Sequence, residues 1–297
     1  MAYRFKHRET VPRNVRRIAA EELDSAIGLL TTGKRGSRRE QSVHGVRKSI
    51  KKTRALMRMV RREFGDFFQN ENIRLRDAGR RLSELRDAGA LIGTVNNLRQ
   101  RRSGAPLKQL LAQVRKLFYL QQRQLEERAA AQGLFPSLAL ELRKTRQSIR
   151  LWPLEKDGFK AIAAGARDTF RKGRKAMAAA RRSGSAEDYH EWRKRVKDHW
   201  YQVRLLNKIR GEVMSGYEQS LKELEDVLGE DINLSVLERQ AGQFSPQYGR
   251  LPISSLHKVI GEAKHDLRHR ALEMGAKVYA EKPKKFIRRL KRRWKAW

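Results

Sequence analysis

Seven basic residues in the segment 44–62 share one helical face, and no acidic residue interrupts them. With His44 at zero and about 100° per residue, His44, Arg47, Lys48, Lys51, Arg54, Arg58 and Arg62 fall within roughly 80° of zero. Val46, Ile50, Thr53, Met57, Val60 and Phe64 fall in the opposite arc, at roughly 160° to 240°, which is the face a core would take. Like charges at i, i+4 cost a few tenths of a kcal/mol each in an isolated helix, so such a stripe is unfavourable until an anion arrives. Guanidinium groups offer bidentate hydrogen bonds to phosphate oxygens and ammonium groups a compact charge, and a row of them suits a linear polyanion better than one small phosphate.

A second stripe repeats the first. A shift of 146 residues lays Val-His-Gly-Val-Arg-Lys-Ser-Ile-Lys at 43–51 over Tyr-His-Glu-Trp-Arg-Lys-Arg-Val-Lys at 189–197. At the same shift Arg58 meets Arg204, Leu75 meets Leu221, Arg76 meets Lys222, Leu82 meets Leu228 and Leu91 meets Leu237, with no gap. His190, Arg193, Lys194, Lys197 and Arg204 form the basic stripe of this copy. Trp192, Val196, Val203 and Leu206 form its apolar arc, and His199 falls on the apolar side. Protonated His44 and His190 can donate to phosphate; flanking cations depress their pKa in the free protein and a bound polyanion raises it.

The elements that position these stripes read as helices throughout. Apolar residues recur at three- and four-residue spacing and strict alternation is missing. The periodicity predicts helices at 11–31, 38–64, 67–101, 105–132, 157–182, 186–210, 212–241 and 254–280. Breaks carry turn chemistry at Gly33–Ser37, Ser103–Pro106, Gly133–Ser137, Trp152-Pro153, Ser183–Ser185, Ser245-Pro246 and Pro252. The expectation is an all-α fold: two tandem four-helix bundles of long antiparallel helices, related by internal duplication and a pseudo-two-fold axis around a central basic groove or pore. The halves are 11–142 and 155–280, with a basic tail at 281–297.

Composition agrees with a charged surface on a folded body. The 297 residues hold 68 Lys and Arg against 33 Asp and Glu, a formal charge of +35, so an acidic partner is expected. The 39% of apolar residues, arranged periodically, argue against disorder. Cysteine is absent, which excludes disulfides and thiol redox chemistry. No apolar run approaches the roughly 18 residues that span a bilayer, so a cytoplasmic location is expected.

His-x-x-Arg-Lys-x-x-Lys-Lys-x-Arg-Ala at 44–55 and His-x-x-Arg-Lys-Arg-x-Lys-x-x-x-Tyr at 190–201 resemble the motifs of the CHAD family, the conserved histidine α-helical domains. Leu85-Arg86-Asp87, and Leu228-Gly229 followed by Asp231, resemble its other segments. The resemblance covers residues 11–280 and implies two four-helix bundles around a basic cavity, binding of inorganic polyphosphate and association with polyphosphate granules. Carried over position by position, the phosphate-contacting set is His44, Arg47, Lys51, Lys52 and Arg54 with His190, Arg193, Lys194 and Lys197; Lys48, Arg58 and Arg204 join it on helical geometry. The second copy departs from the pattern at Asp198, Trp200 and Asn233, where the first has Lys52, Arg54 and Asp87, so weaker binding by the C-terminal half is expected.

Other chemistries find less support. Gly28-x4-Gly33-Lys34 begins like a P-loop, but Arg35 replaces the Ser or Thr and a helix precedes it. His265 and His269 with Glu262 and Asp266 have metal-ligand spacing among cations that mark an ordinary surface. Glu225, Asp226, Glu230 and Asp231 read as ion-pair partners for surplus Arg and Lys. No nucleophile sits in a recognisable local signature, so the chain is expected to be neither an enzyme nor dependent on a cofactor. RNA or DNA is the competing partner, since any +35 protein neutralises phosphates; the first stripe lacks aromatics on which bases stack, and the second has Trp200 and Tyr201 at its edge. The segment after Pro283 reads either as a strip for an anionic surface or as a terminal helix packing Phe286, Leu290 and Trp294. The oligomeric state is not written in these patterns.

Overall fold

The apolar arcs opposite the two basic stripes are what the structure buries. Val46, Ile50, Thr53, Met57, Val60 and Phe64 are each at most 2% exposed, as are Trp192, Val196, His199, Val203 and Leu206. The computed structural model describes residues 3–32, 37–101, 105–206, 212–244 and 253–297, and their regular structure is all helical. The expected breaks at Gly33–Gly36, Ser103-Gly104, Ser245-Pro246 and Pro252 lie outside the described residues, as does Lys34 of the P-loop-like run.

The helices are α1 (Val11–Thr31), α2 (Ser37–Met59), α3 (Arg61–Phe64), α4 (Phe67–Arg81), α5 (Ser83–Arg101), α6 (Ala105–Ala131), α7 (Leu134–Ser148), α8 (Phe159–Ser183), α9 (Ala186–Leu205), α10 (Glu212–Phe244), α11 (Ile253–Val278) and α12 (Pro283–Lys295). Local chemistry sets several boundaries. The Thr10 side chain accepts from the Arg13 N–H and the Ser185 side chain from the Asp188 N–H, capping α1 and α9. Gly184, at φ +63°, ends α8 in the left-handed conformation that glycine adopts without penalty.

Three details differ from the periodicity reading. The helix expected at 38–64 is interrupted at Val60, and the one expected at 67–101 at Leu82, where φ is −97° and ψ 7°. Periodicity carries across both points because the apolar spacing does not change there. Helix α7 occupies a stretch where Gly133 and Pro136 suggest a loop. Gly133 takes φ +59° just before the helix, and Pro136 sits in the first turn, where the amide it lacks has no intrahelical acceptor. Phe135, Leu138, Ala139 and Leu142 then supply a buried face.

Two apolar cores organise the packing. The larger joins α1, α2, α4, α7, α8, α9, α12 and the first part of α10, running across residues 143–154 where the sequence places a boundary. The smaller is a four-helix arrangement of α5, α6, α11 and the second part of α10, filled by residues such as Val95, Phe118, Leu237 and Ile260. Helix α12 closes the larger core: Phe286 and Leu290 are buried, Trp294 packs against it, and Phe286 stacks on Phe170 with centroids 4.4 Å apart. The contact of α8 with α2 is tight because residue 165 is glycine; a Cβ there would lie 2.0 Å from the Met59 carbonyl oxygen.

His199 sits inside the aromatic cage that α12 completes, with Phe170, Tyr217, Tyr279 and Phe286 at centroid distances of 5.5 to 5.7 Å. Neither ring nitrogen has a hydrogen-bond partner among the described residues. Burial, then the Arg289 charge, pushes its pKa down to about 3. The unfolded chain therefore binds a proton that the folded chain refuses, so stability is unaffected above about pH 6.5 and falls as the pH drops below it. Between pH 7 and pH 5 this residue should cost the protein about 2 kcal/mol, at about 1.4 kcal/mol per unit below the unfolded value. Denaturant titrations at the two pH values should show His199→Phe losing about that much less stability than the parent.

Candidate anion-binding site

Helices α2 and α9 pack against each other, so the basic faces beside their buried arcs border one space. The two are tied by the buried Gln202 amide, which donates to the Ala55 carbonyl at 3.1 Å, and by Arg58, whose guanidinium lies 3.0 Å from the Asp198 carboxylate. Between them, and against the end of α4, lies a cavity of about 510 Å³. Among the described residues it is lined by ten Arg and Lys and by His190, against two acids, Glu191 and Asp198. No Phe, Tyr or Trp is among them.

The cations are held by different means. Arg47 donates to the Gly79 carbonyl and, at 2.8 Å, to the Ser83 hydroxyl, which fixes its fork at the α4–α5 break. Arg54 donates to Asn72 at 3.0 Å; burial, then Arg58, brings its pKa down to about 10. Glu225 on α10 takes Lys197 at 2.7 Å and Arg193 at 2.9 Å on one carboxylate oxygen. Burial alone would raise the pKa of Glu225, but Lys197 and Arg193 outweigh it and hold it at about 2. Gly229, one turn on in α10, leaves room for this pair: a Cβ would come within 2.9 Å of the Arg193 guanidinium.

Lys51 has no carboxylate partner among the described residues. It is partly buried, and burial followed by Lys197, Arg47, Arg193 and Arg86 holds its pKa well below the usual lysine value. The histidines are exposed beside this cluster. The His44 pKa is lowered by partial desolvation and then by Arg86, Lys197, Lys48 and Lys51; that of His190 by partial desolvation and then by Lys194 and Arg193, with Glu191 opposing.

The structure brings Arg47, Lys51, Arg54, Arg58, His190, Arg193, Lys194 and Lys197 to one cavity, with His44 beside Lys51 and Lys197. Lys48 is exposed among Lys52, Arg204 and Lys222, on the flank of α2. Lys52 and Arg204 lie away from the cavity. Lys52 pairs with Glu22 of α1 at 2.6 Å and sits over the Tyr3 ring. Arg204 pairs with Glu218 at 3.2 Å and sits over Trp200. Trp200 and Tyr201 are themselves buried, so neither offers an open stacking platform.

Arg76, Arg80 and Arg195 also line the cavity, and Arg86 stands against Lys51 and His44; none of the four belongs to the site read from the sequence. The first two are four apart on α4, a signal that was legible but that Asp77, paired with both, makes look like ordinary surface. Among the other candidates, His265 and His269 face solvent beside Asp266 and Glu273. Asp226 pairs with Lys222 and Asp231 with Arg268, as expected of counter-ions. No described helix is long and apolar enough to cross a membrane.

A family model described as CHAD domain matches residues 19–242, three-quarters of the chain. The chain belongs to the CHAD-domain family. Solved structures that share the fold seen here include two. One, titled PptA from Streptomyces chartreusis, has a TM-score of 0.58 at 11% identity, covering 92% of this chain and all of that one. The CHAD domain from the plant Ricinus communis has a TM-score of 0.58 at 14% identity, covering 90% of this chain and 89% of that one. No curated protein matches the chain.

Within this CHAD domain, Glu225 is the carboxylate on which the α9 wall depends. Replacing it as Glu225→Gln leaves two partly buried cations without a counter-charge and should lower stability by on the order of 3 kcal/mol at pH 7. Because the Glu225 pKa is depressed, its contribution is complete above its ordinary value of 4.5 and is lost as the pH falls toward about 2. Denaturant titrations should therefore find the gap between parent and variant closing through that window.

Proposed function

We propose that this protein binds inorganic polyphosphate in the α2–α9 cavity and acts as a non-catalytic scaffold, storage or granule-targeting module in the cytoplasm. The carrying observation is the lining: ten Arg and Lys face two carboxylates, with no Phe, Tyr or Trp among them. An unbranched chain of phosphates offers regularly spaced oxygens and no base to stack, which is the chemistry such a lining recognises. Nucleic acid shares the charge but gains base stacking only where aromatic faces are open. The CHAD resemblance points the same way.

We also propose that the two halves arose by duplication. Pairing of α1 with α2, α5 with α6 and α1 with α7 has its counterpart in α8 with α9, α10 with α11 and α8 with α12. This repeated pattern of neighbours supports a common ancestor for the halves.

Long-chain polyphosphate binding at near-physiological salt, competed by single-stranded and duplex nucleic acid, tests the reading. Lys51→Ala/Arg54→Ala/Lys194→Ala spares the Glu225 pairs and the Arg47 anchor, so it should stay folded. It should lose on the order of 100-fold in affinity, since each lost charge-assisted contact is worth about 1 kcal/mol or more. Polyphosphate should outcompete both nucleic acids on the parent protein. Equal competition by nucleic acid with an unaffected variant would mean that a diffuse basic surface, rather than this cavity, does the binding.

A further inference from the structure

Beyond Asp198 the basic lining does not stop. A second cavity, of about 240 Å³, lies where α3 and α4 meet α8 and α9, and it shares Arg58, Arg195 and Asp198 with the first. We propose that this cavity is a second phosphate subsite on the same track, so that a chain long enough to pass Asp198 gains contacts that a short one cannot. The inference rests on the proposed polyphosphate binding and extends it to chain-length selection.

The new cations are Arg61, Arg62 and Lys172. All three are exposed, and none has a carboxylate within ion-pair distance among the described residues. Burial, followed by Arg195 and Arg61, lowers the pKa of Lys172, as expected for a cation crowded by others. The acids here are already engaged: Asp168 with Arg171 at 3.1 Å, and Asp198 with Arg58 at 3.0 Å and Arg195 at 3.9 Å. Asp198 therefore stands at the junction as a neutralised carboxylate flanked by two guanidinium groups, and a passing phosphate chain meets both.

Backbone geometry places Lys172 there. Gly165, Asp168, Thr169 and Lys172 fall on one face of α8 at i, i+3, i+4 and i+7, and all four line the cavity. Gly165 lets that face touch the last turn of α2 directly. A larger residue at 165 would hold α8 off and carry Lys172 away from Arg58.

Affinities for long-chain polyphosphate and for tripolyphosphate, each measured against salt, decide the matter. Arg62→Ala/Lys172→Ala should lose about 10-fold for the long chain and reduce the salt slope by about 1.4, at about 0.7 per phosphate for a single-stranded polyanion. Its tripolyphosphate affinity should stay within about 2-fold of the parent. Lys284→Ala/Arg288→Ala on α12 removes the same charge elsewhere and should change neither. An unchanged long-chain affinity, an equal loss for both probes, or an equal loss in the α12 control overturns the second subsite while leaving the first cavity standing. Failure of the parent protein to bind either probe removes the underlying polyphosphate reading and this inference with it.

Discussion

The structure depends on the packing of α2 against α9, which sets two cation-rich faces on one cavity with too few carboxylates to neutralise them. The two helices each bury an apolar arc, with Val46 and Ile50 on α2 and Trp192 and Val196 on α9, and the buried Gln202 amide joins them at the Ala55 carbonyl. Once the two helices are packed together, their basic faces have no freedom to separate, and their charges must be managed in place. Glu225 and Asp198 manage part of it, the one holding Arg193 and Lys197, the other bridging to Arg58 across the helix interface. Lys51 is left over, surrounded by cations. Repulsion that folding cannot relieve is then available to favour an anion.

Much of this was legible in the sequence because helical periodicity assigns faces. The arcs opposite His44 and His190 are the buried ones, down to His199 on the apolar side. Periodicity says less about which neighbour each edge of a stripe will meet. Lys52 lies about 80° from His44, near the stripe's border, and α1 stands there with Glu22. Arg204, aligned with Arg58, meets Glu218 of α10 where Arg58 meets Asp198 of α9. The departure at Asp198 reads from sequence as a loss of positive charge; in the structure it is the acid that fastens the two stripes together.

Tertiary partners account for the remaining differences. The contributions of Arg76, Arg80 and Arg195 to the cavity depend on where α4 and α9 run, which no local pattern specifies. The Leu228-Gly229 pair carries a resemblance in the sequence, but its physical reason, the guanidinium of Arg193 lying against a residue without a Cβ, appears only when α9 meets α10. Gly165 has the same character at the α2–α8 contact. The tail after Pro283 allows two readings; the aromatic cage around His199 uses its apolar side, its lysines are exposed, and Arg289 lies over the Tyr217 and Phe286 rings of the cage.

If the cavity is a reservoir of uncompensated positive charge, a bound polyanion must raise the depressed pKa values of His44 and His190 and draw protons from solution. The most direct measurement is calorimetric titration of polyphosphate at pH 7 in two buffers of different ionisation enthalpy, repeated between about pH 6 and 8. Net proton uptake on binding and an affinity that tightens as the pH falls are the expected result. Binding with no proton uptake and no pH dependence across that range would contradict it.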